Sequence, residues 1–259
     1  MNRIFTEFTR SISTHFNALF FVIKNGLWWY FLFPILLNII LFIMGVSLVT
    51  DVSDQSLTQL NLWLIELDMG INPESWVYSV IYFIVWLIFR IFYFLVFAFL
   101  GGYIVLMLLS PILALLSYSV EKKLTGKTHP FKFLEFINEI FRGIAISVRN
   151  FFLEILFLLL FFILSFVPVL GILSPFVLFA VTAFYYGFSV MDYNMERRRL
   201  GIRESVQFMR KHRGSVIGIG APFALVLLIP FIGSFLIGFV AILATVSGTI
   251  ETLRIEEAD

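Results

Sequence analysis

The chain of 259 residues is 60% hydrophobic, with 33 phenylalanines, 14% charged residues and a formal net charge of +1. Its mean hydropathy of +0.99 exceeds what a soluble fold can cover, so lipid must take up much of the apolar surface. The near-zero charge gives no electrostatic footprint for nucleic acid. The absence of cysteine removes disulfides, thiolate metal sites, iron–sulfur clusters and cysteine nucleophiles.

In residues 1–24, Ile4, Phe5, Phe8, Ile12, Phe16, Leu19, Phe20 and Ile23 recur at three- and four-residue steps, with Arg3, Glu7, Arg10, Ser11 and Thr14 on the other side. This pattern predicts an amphipathic helix lying on the membrane surface and not a cleaved signal peptide. Residues 27–49 are long enough for one crossing. Residues 51–75 contain no Lys or Arg but do contain Asp51, Asp54, Glu66, Asp68 and Glu74. Within them Leu57, Leu60, Trp63, Leu64 and Leu67 suggest a short interfacial helix. Residues 76–118 are apolar apart from Arg90; as one helix they would run about 65 Å, roughly twice the hydrocarbon thickness.

Charge sets how often each stretch crosses. Basic residues gather before the first span (Arg3, Arg10, Lys24), in residues 119–149 and in residues 192–213. By the positive-inside rule these three groups are cytoplasmic and residues 51–75 face the other side. Residues 76–118 then cross once, and their excess length tilts or continues beyond Ser110-Pro111 towards Lys123. Residues 119–150 form a cytoplasmic segment. Residues 151–191 and 215–250 each enter and leave on the same face, so each is predicted to be a helical hairpin, fully crossing or re-entrant. Between them residues 192–214 are a basic cytoplasmic segment, and residues 251–259 are a cytoplasmic tail. The hairpin tips are placed at Pro168 to Gly171 and at Pro230 to Gly233. Phe166-Val167-Pro168-Val169-Leu170-Gly171 aligns with Leu228-Ile229-Pro230-Phe231-Ile232-Gly233. The match has two readings, an internal repeat or a tight Pro-x-x-Gly turn used twice.

Catalytic chemistry finds no support. His15, His129 and His212 are scattered, and no nucleophile elbow, zinc-peptidase motif or phosphate loop is present. No enzyme activity, metal or cofactor is expected. Gly214, Gly218 and Gly220 fit close helix packing in lipid. Arg90, the one cation within an apolar stretch, reads as an anion-attracting residue or as a structural, snorkelling arginine. Glu154 reads as a partner of Arg149 or as a proton-coupling carboxylate, and Asp192 and Glu251 are expected to be solvated or paired with the adjacent arginines. Helix starts near Gly26-Leu27, after Gly171 and after Gly233 would present unpaired N–H groups to an anion.

Several stretches in order resemble the CysZ and etoposide-induced-protein family. They are Gly26-Leu27-Trp28-Trp29-Tyr30-Phe31-Leu32-Phe33-Pro34, Ser110-Pro111-Ile112-Leu113 leading to Val120-Glu121, and Val167-Pro168-Val169-Leu170-Gly171. Asp192-Tyr193 with Arg197-Arg198, Phe208-Met209-Arg210-Lys211-His212-Arg213-Gly214 and Ala244-Thr245 follow. The resemblance implies sulfate uptake for cysteine synthesis by an inner-membrane homo-oligomer with two long helices and two partly penetrating hairpins. It also implies an anion-binding Gly-Leu-Arg loop. Gly26 and Leu27 match that loop, Trp28 stands in the arginine's place, and Lys24 or Arg90 is left to supply charge. The first expectation is therefore an all-α integral membrane protein conducting an anion, most simply sulfate, with both termini cytoplasmic. The alternative is a non-transporting structural, assembly or lipid-interacting member of the same family.

Overall fold

A computed structural model describes residues 2–66, 76–126, 133–198, 200–229 and 233–258, and every regular element among them is helical. In order these are α1 (Asn2–Lys24), a 3₁₀ turn (Trp28–Phe31), α2 (Leu32–Glu66), α3 (Trp76–Thr125), α4 (Phe133–Leu164), α5 (Pro168–Arg197), α6 (Ile202–Lys211), α7 (Arg213–Leu227) and α8 (Gly233–Ala258). Lipid offers no partner to backbone N–H and C=O groups, so apolar runs of this length close their hydrogen bonds internally as helices. Among the described residues, five stretches are long and apolar enough to cross a bilayer: Trp28–Gly45, Tyr103–Thr125, Ile140–Leu164, Leu170–Glu196 and Phe235–Ala258. The chain is an all-helical, multi-pass membrane protein.

Element boundaries depart from the sequence expectations in three places. The first long helix starts at Leu32, not at 27, and it runs unbroken to Glu66. The acidic stretch is thus its continuation up to that residue, while Leu67 and the rest of 67–75 lie outside the described residues. In the first hairpin segment the break falls at 165–167, one turn earlier than expected. Val167 is the extended N-cap and Pro168 opens α5, where its missing N–H costs nothing. The arm leading to that break, α4, begins at Phe133 and not at 151.

The chain divides into two units, Met1–Pro34 with Gly102–Asp259, and Ile35–Gly101. In the first, α7 packs on α5, α1 and α8, and α5 packs on α4 and α8. Two glycine faces of α7 make this possible. A Cβ at Gly220 would stand 1.7 Å from the Ala183 carbonyl oxygen, and one at Gly187 2.0 Å from that of Val216. On the other face, Gly214 and Gly218 lie against the carbonyls of Ile4 and Phe8. The small residues therefore serve backbone approach, as their spacing suggested.

The first helix is amphipathic, but its polar side turns into the protein. Glu7, Ser11 and Thr14 are 6%, 0% and 1% exposed, while Phe5, Phe16 and Phe20 are 68%, 69% and 70% exposed. Most groups of the polar stripe find partners, Arg3 with Glu7, Thr14 with the Arg10 carbonyl, and Arg10 with Glu251, while the buried Ser11 hydroxyl has none among the described residues. The apolar stripe is left for lipid. Arg10 thus meets the last turns of α8, and the Tyr30 hydroxyl lies 3.2 Å from Ser119 near the end of α3. Within this unit α1 and the 3₁₀ turn therefore join the helix ends that carry Lys122, Lys123 and Arg254.

Buried polar contacts tie the other helices together. The Ser117 hydroxyl meets Asn194 Oδ1 at 3.2 Å and Thr249 Oγ1 at 2.9 Å. Asn150 donates to Ser189 and to the Tyr185 carbonyl. In the second unit Phe83 stacks on Trp86 with ring centroids 6.1 Å apart.

Candidate anion site

The sequence placed an anion on the backbone of Gly26 and Leu27, and the local geometry corrects this. Gly26 has φ +67°, the left-handed conformation that glycine adopts without a Cβ penalty. Its N–H donates to the Ile23 carbonyl at 3.3 Å, and the Leu27 N–H donates to the Val22 carbonyl at 2.9 Å. Together these close α1 with a Schellman-type cap. Both amides already serve helix carbonyls, and the Leu27 side chain is buried. The Gly-Leu pair ends one helix instead of starting the next.

The next amides belong to Trp28 and Trp29, the first residues of the 3₁₀ turn. The Tyr30 N–H reaches the Leu27 carbonyl at 3.1 Å, the first bond of the 3₁₀ turn. Trp28 and Trp29, ahead of that bond, have no intrahelical acceptor for their N–H groups. Both indoles are exposed, at 61% and 41%, and Trp29 stacks on Tyr30 with centroids 4.0 Å apart. Lys24 is exposed in the last turn of α1. Arg90 belongs to the second unit. Its guanidinium lies over the Trp86 ring at 5.0 Å, and its buried Nε has no hydrogen-bond partner among the described residues. A half-buried arginine stacked on tryptophan is held by packing while its remaining donors stay available.

The two Pro-x-x-Gly segments share one local bond. Gly171 N–H donates to the Val167 carbonyl at 2.8 Å, and Gly233 N–H donates to the Ile229 carbonyl at 3.0 Å. In each case the acceptor is the residue preceding the proline. A Cβ at Gly171 would meet the Ser165 carbonyl oxygen at 2.6 Å, and one at Gly233 that of Val226 at 2.3 Å. These glycines permit close backbone approach, and their own N–H groups are occupied. Gly171 therefore lies inside the first turn of α5, and the helix start proposed after it is displaced to Pro168. Pro230 lies outside the described residues.

Three buried carboxylates have partners that the sequence did not fully reveal. Glu154 is not paired with Arg149. It accepts from the Tyr103 and Thr182 hydroxyls, both at 2.5 Å, while Arg149 lies over the Phe188 ring at 5.4 Å. Asp192 takes a two-pronged bond from Arg142, at 2.9 and 3.0 Å, and Arg142 also donates to Ser205 and the Leu200 carbonyl. Glu251, fully buried, receives Arg10 at 3.0 and 2.5 Å and Ser215 at 3.0 Å. Arg254 stands 3.4 Å away on the same helix. Arg3, Glu7 and Arg10 share one face of α1 by their spacing, which is visible in sequence. Their partners outside α1, His212 and Glu251, lie more than 200 positions away, and no local pattern points to them.

The family model for "Sulfate transporter CysZ/Etoposide-induced protein 2.4" matches residues 14–238. The sulfate transporter CysZ of Pectobacterium atrosepticum is 27% identical over 177 residues, which cover 68% of this chain and 63% of that protein. The aligned part thus spans somewhat less than two thirds of the relative's length. With a family match running across nearly all the helices described above, the chain belongs to the sulfate transporter CysZ/etoposide-induced protein 2.4 family.

Proposed function

We propose that this protein carries an inorganic anion, sulfate first, across the inner membrane as a homo-oligomer, without catalysis or cofactor. The observation that carries the reading is the family match over residues 14–238, with a sulfate transporter CysZ among its relatives. The exposed residues of the 3₁₀ turn support a site there. In this proposal the anion meets the Trp28 and Trp29 amides, with Lys24 supplying charge in place of the family's arginine. Gly26 and Leu27 shape that loop and do not bind the anion through their own amides. Arg90 attracts anions from the second unit. The basic helix ends and both termini face the cytoplasm, by the charge rule. The arms of the hairpins form a largely uncharged path. One of them, α7, has 15 residues and rises only about 22 Å, short of the roughly 30 Å hydrocarbon core, which supports a re-entrant second hairpin.

Proteoliposomes of the purified protein should accumulate radiolabelled sulfate above protein-free vesicles, and excess unlabelled sulfate should compete. Accumulation equal to empty vesicles across pH and salt would reject transport. A second reading, a non-transporting lipid-interacting or assembly role, draws on one observation: an exposed Trp28 occupies the arginine position. An exposed indole is suited to the membrane–water interface. Lipid-dependent oligomers without anion flux would select that reading.

A further inference from the structure

A charged concavity in the first unit lies far from the 3₁₀ turn in sequence. A cavity of about 600 Å³ is lined by Arg3, Thr6, Glu7 and Arg10 of α1, His212 at the α6–α7 junction, and Arg254, Ile255 and Ala258 of α8. Three arginines from two helices point into it. Arg3 gives Nε to Glu7 at 2.8 Å and approaches His212 Nδ1 with Nη2 at 3.3 Å. Arg10 gives Nε and Nη2 to Glu251, and Arg254 gives Nη1 to the same carboxylate. Each guanidinium has five N–H donors in a fixed fork. Among the described residues these bonds engage one edge of each group and leave donors of all three directed at the cavity. Arg3, Arg10 and Arg254 remain 61%, 37% and 43% exposed at the side chain. Among the described residues that line the cavity or bond to its arginines, two carboxylates, Glu7 and Glu251, face three guanidinium groups.

Size narrows the occupant. A water needs about 30 Å³, whereas cavities of several hundred Å³ suit small organic molecules. We propose that this cavity is a second anion site, which takes a phosphoryl or sulfuryl group carried on a polar organic body. The oxyanion sits between Arg3, Arg10 and Arg254, with Thr6 beside it. The buried Glu251 orients Arg10 and Arg254 through bonds already formed, so these cations are largely pre-set for recognition. The same chemistry is offered by an anionic phospholipid headgroup and by a soluble phosphate ester. This site is independent of whether the protein transports sulfate.

The test uses the purified full chain in nanodiscs of phosphatidylcholine alone. Calorimetric titration with glycerol phosphate examines the soluble source. Native mass spectrometry after reconstitution in mixed phosphatidylcholine and phosphatidylglycerol examines the lipid source. The proposal expects saturable binding of glycerol phosphate, selective retention of phosphatidylglycerol, or both. The double variant Arg3→Gln/Arg254→Gln, which spares Arg10, should weaken binding roughly ten-fold or more. Arg3→Lys/Arg254→Lys keeps both charges and should retain an intermediate affinity, which separates lost recognition from lost fold. Absence of both binding signals, or binding unchanged in the Gln variant, overturns the proposal. Binding of inorganic sulfate with no preference for the organic phosphate also overturns it, in favour of a simple ion site. Sulfate uptake measured on the same variants reports separately on transport.

Discussion

Replacing Gly220 by alanine tests the packing of α7 against α5 with a single methyl group. That methyl carbon would lie 1.7 Å from the Ala183 carbonyl oxygen and 2.6 Å from the Gly187 nitrogen. Ordinary contact begins near 3.4 Å, so the two backbones must part by about 1.7 Å, the difference between those distances. No rotamer relieves the clash, because both obstructing atoms belong to the main chain. Overpacking costs about 1–3 kcal/mol in well-packed cores, and backbone against backbone places Gly220→Ala at or above the upper end. Gly248→Ala is the internal control: its new methyl meets the Met191 Cγ at 3.2 Å, and a methionine chain can yield, so the loss should stay below about 1 kcal/mol. Reversible unfolding of detergent-solubilised protein by added sodium dodecyl sulfate measures both. Gly187→Ala should be costly alone and less so combined with Gly220→Ala, since the helices have then already separated. Equal stabilities for Gly220→Ala and Gly248→Ala would refute the close crossing.

Three other perturbations probe other parts of the molecule. Arg142→Ala leaves Asp192 buried without its partner and should cost about 3–5 kcal/mol in the same unfolding assay, with Arg142→Lys recovering part of it because a point charge replaces a two-pronged fork. His15 has its pKa lowered, chiefly by burial, against backbone contacts that favour the charged ring. Folding therefore prefers the neutral imidazole: its contribution is complete above about pH 6.5 and declines as pH falls towards the lowered value. Unfolding curves between pH 7 and 5.5 should show that decline, and His15→Gln should flatten it. Trp28→Arg restores the family's loop pattern and should lower the sulfate concentration for half-maximal uptake by roughly ten-fold, the worth of one charge-assisted contact; an unchanged value would remove the 3₁₀ turn from the anion's path.

Much of the architecture is legible in the sequence because lipid imposes a simple rule: long apolar runs become helices. Residues 76–118 announce a long element, and α3 extends through Pro111 to Thr125, since neighbouring helices in a membrane protein compensate for an internal proline. What escapes sequence reading is where each element stops. Gly26-Leu27 resembles a helix start, yet a positive φ and two capping bonds make it a helix end; glycine is compatible with either role. Pro168 marks the first hairpin segment, but proline favours the first position of a helix, which shifts the break to the residues before it. The periodicity of α1 identifies two faces correctly and says nothing of which one meets protein. Here the polar one does, because Glu251, Arg254 and the α6–α7 junction offer partners that only the fold assembles. The cavity between Arg3, Arg10, His212 and Arg254 was invisible for the same reason.

The topology rests on the segregation of basic and acidic connectors by the membrane. The chain has no cysteine, so single cysteines at Leu60 and Leu200 can be labelled with an impermeant maleimide in intact and permeabilised cells without background. Labelling of Leu60→Cys from outside, with Leu200→Cys labelled only after permeabilisation, is the result expected. Equal labelling of both positions in intact cells would contradict the account.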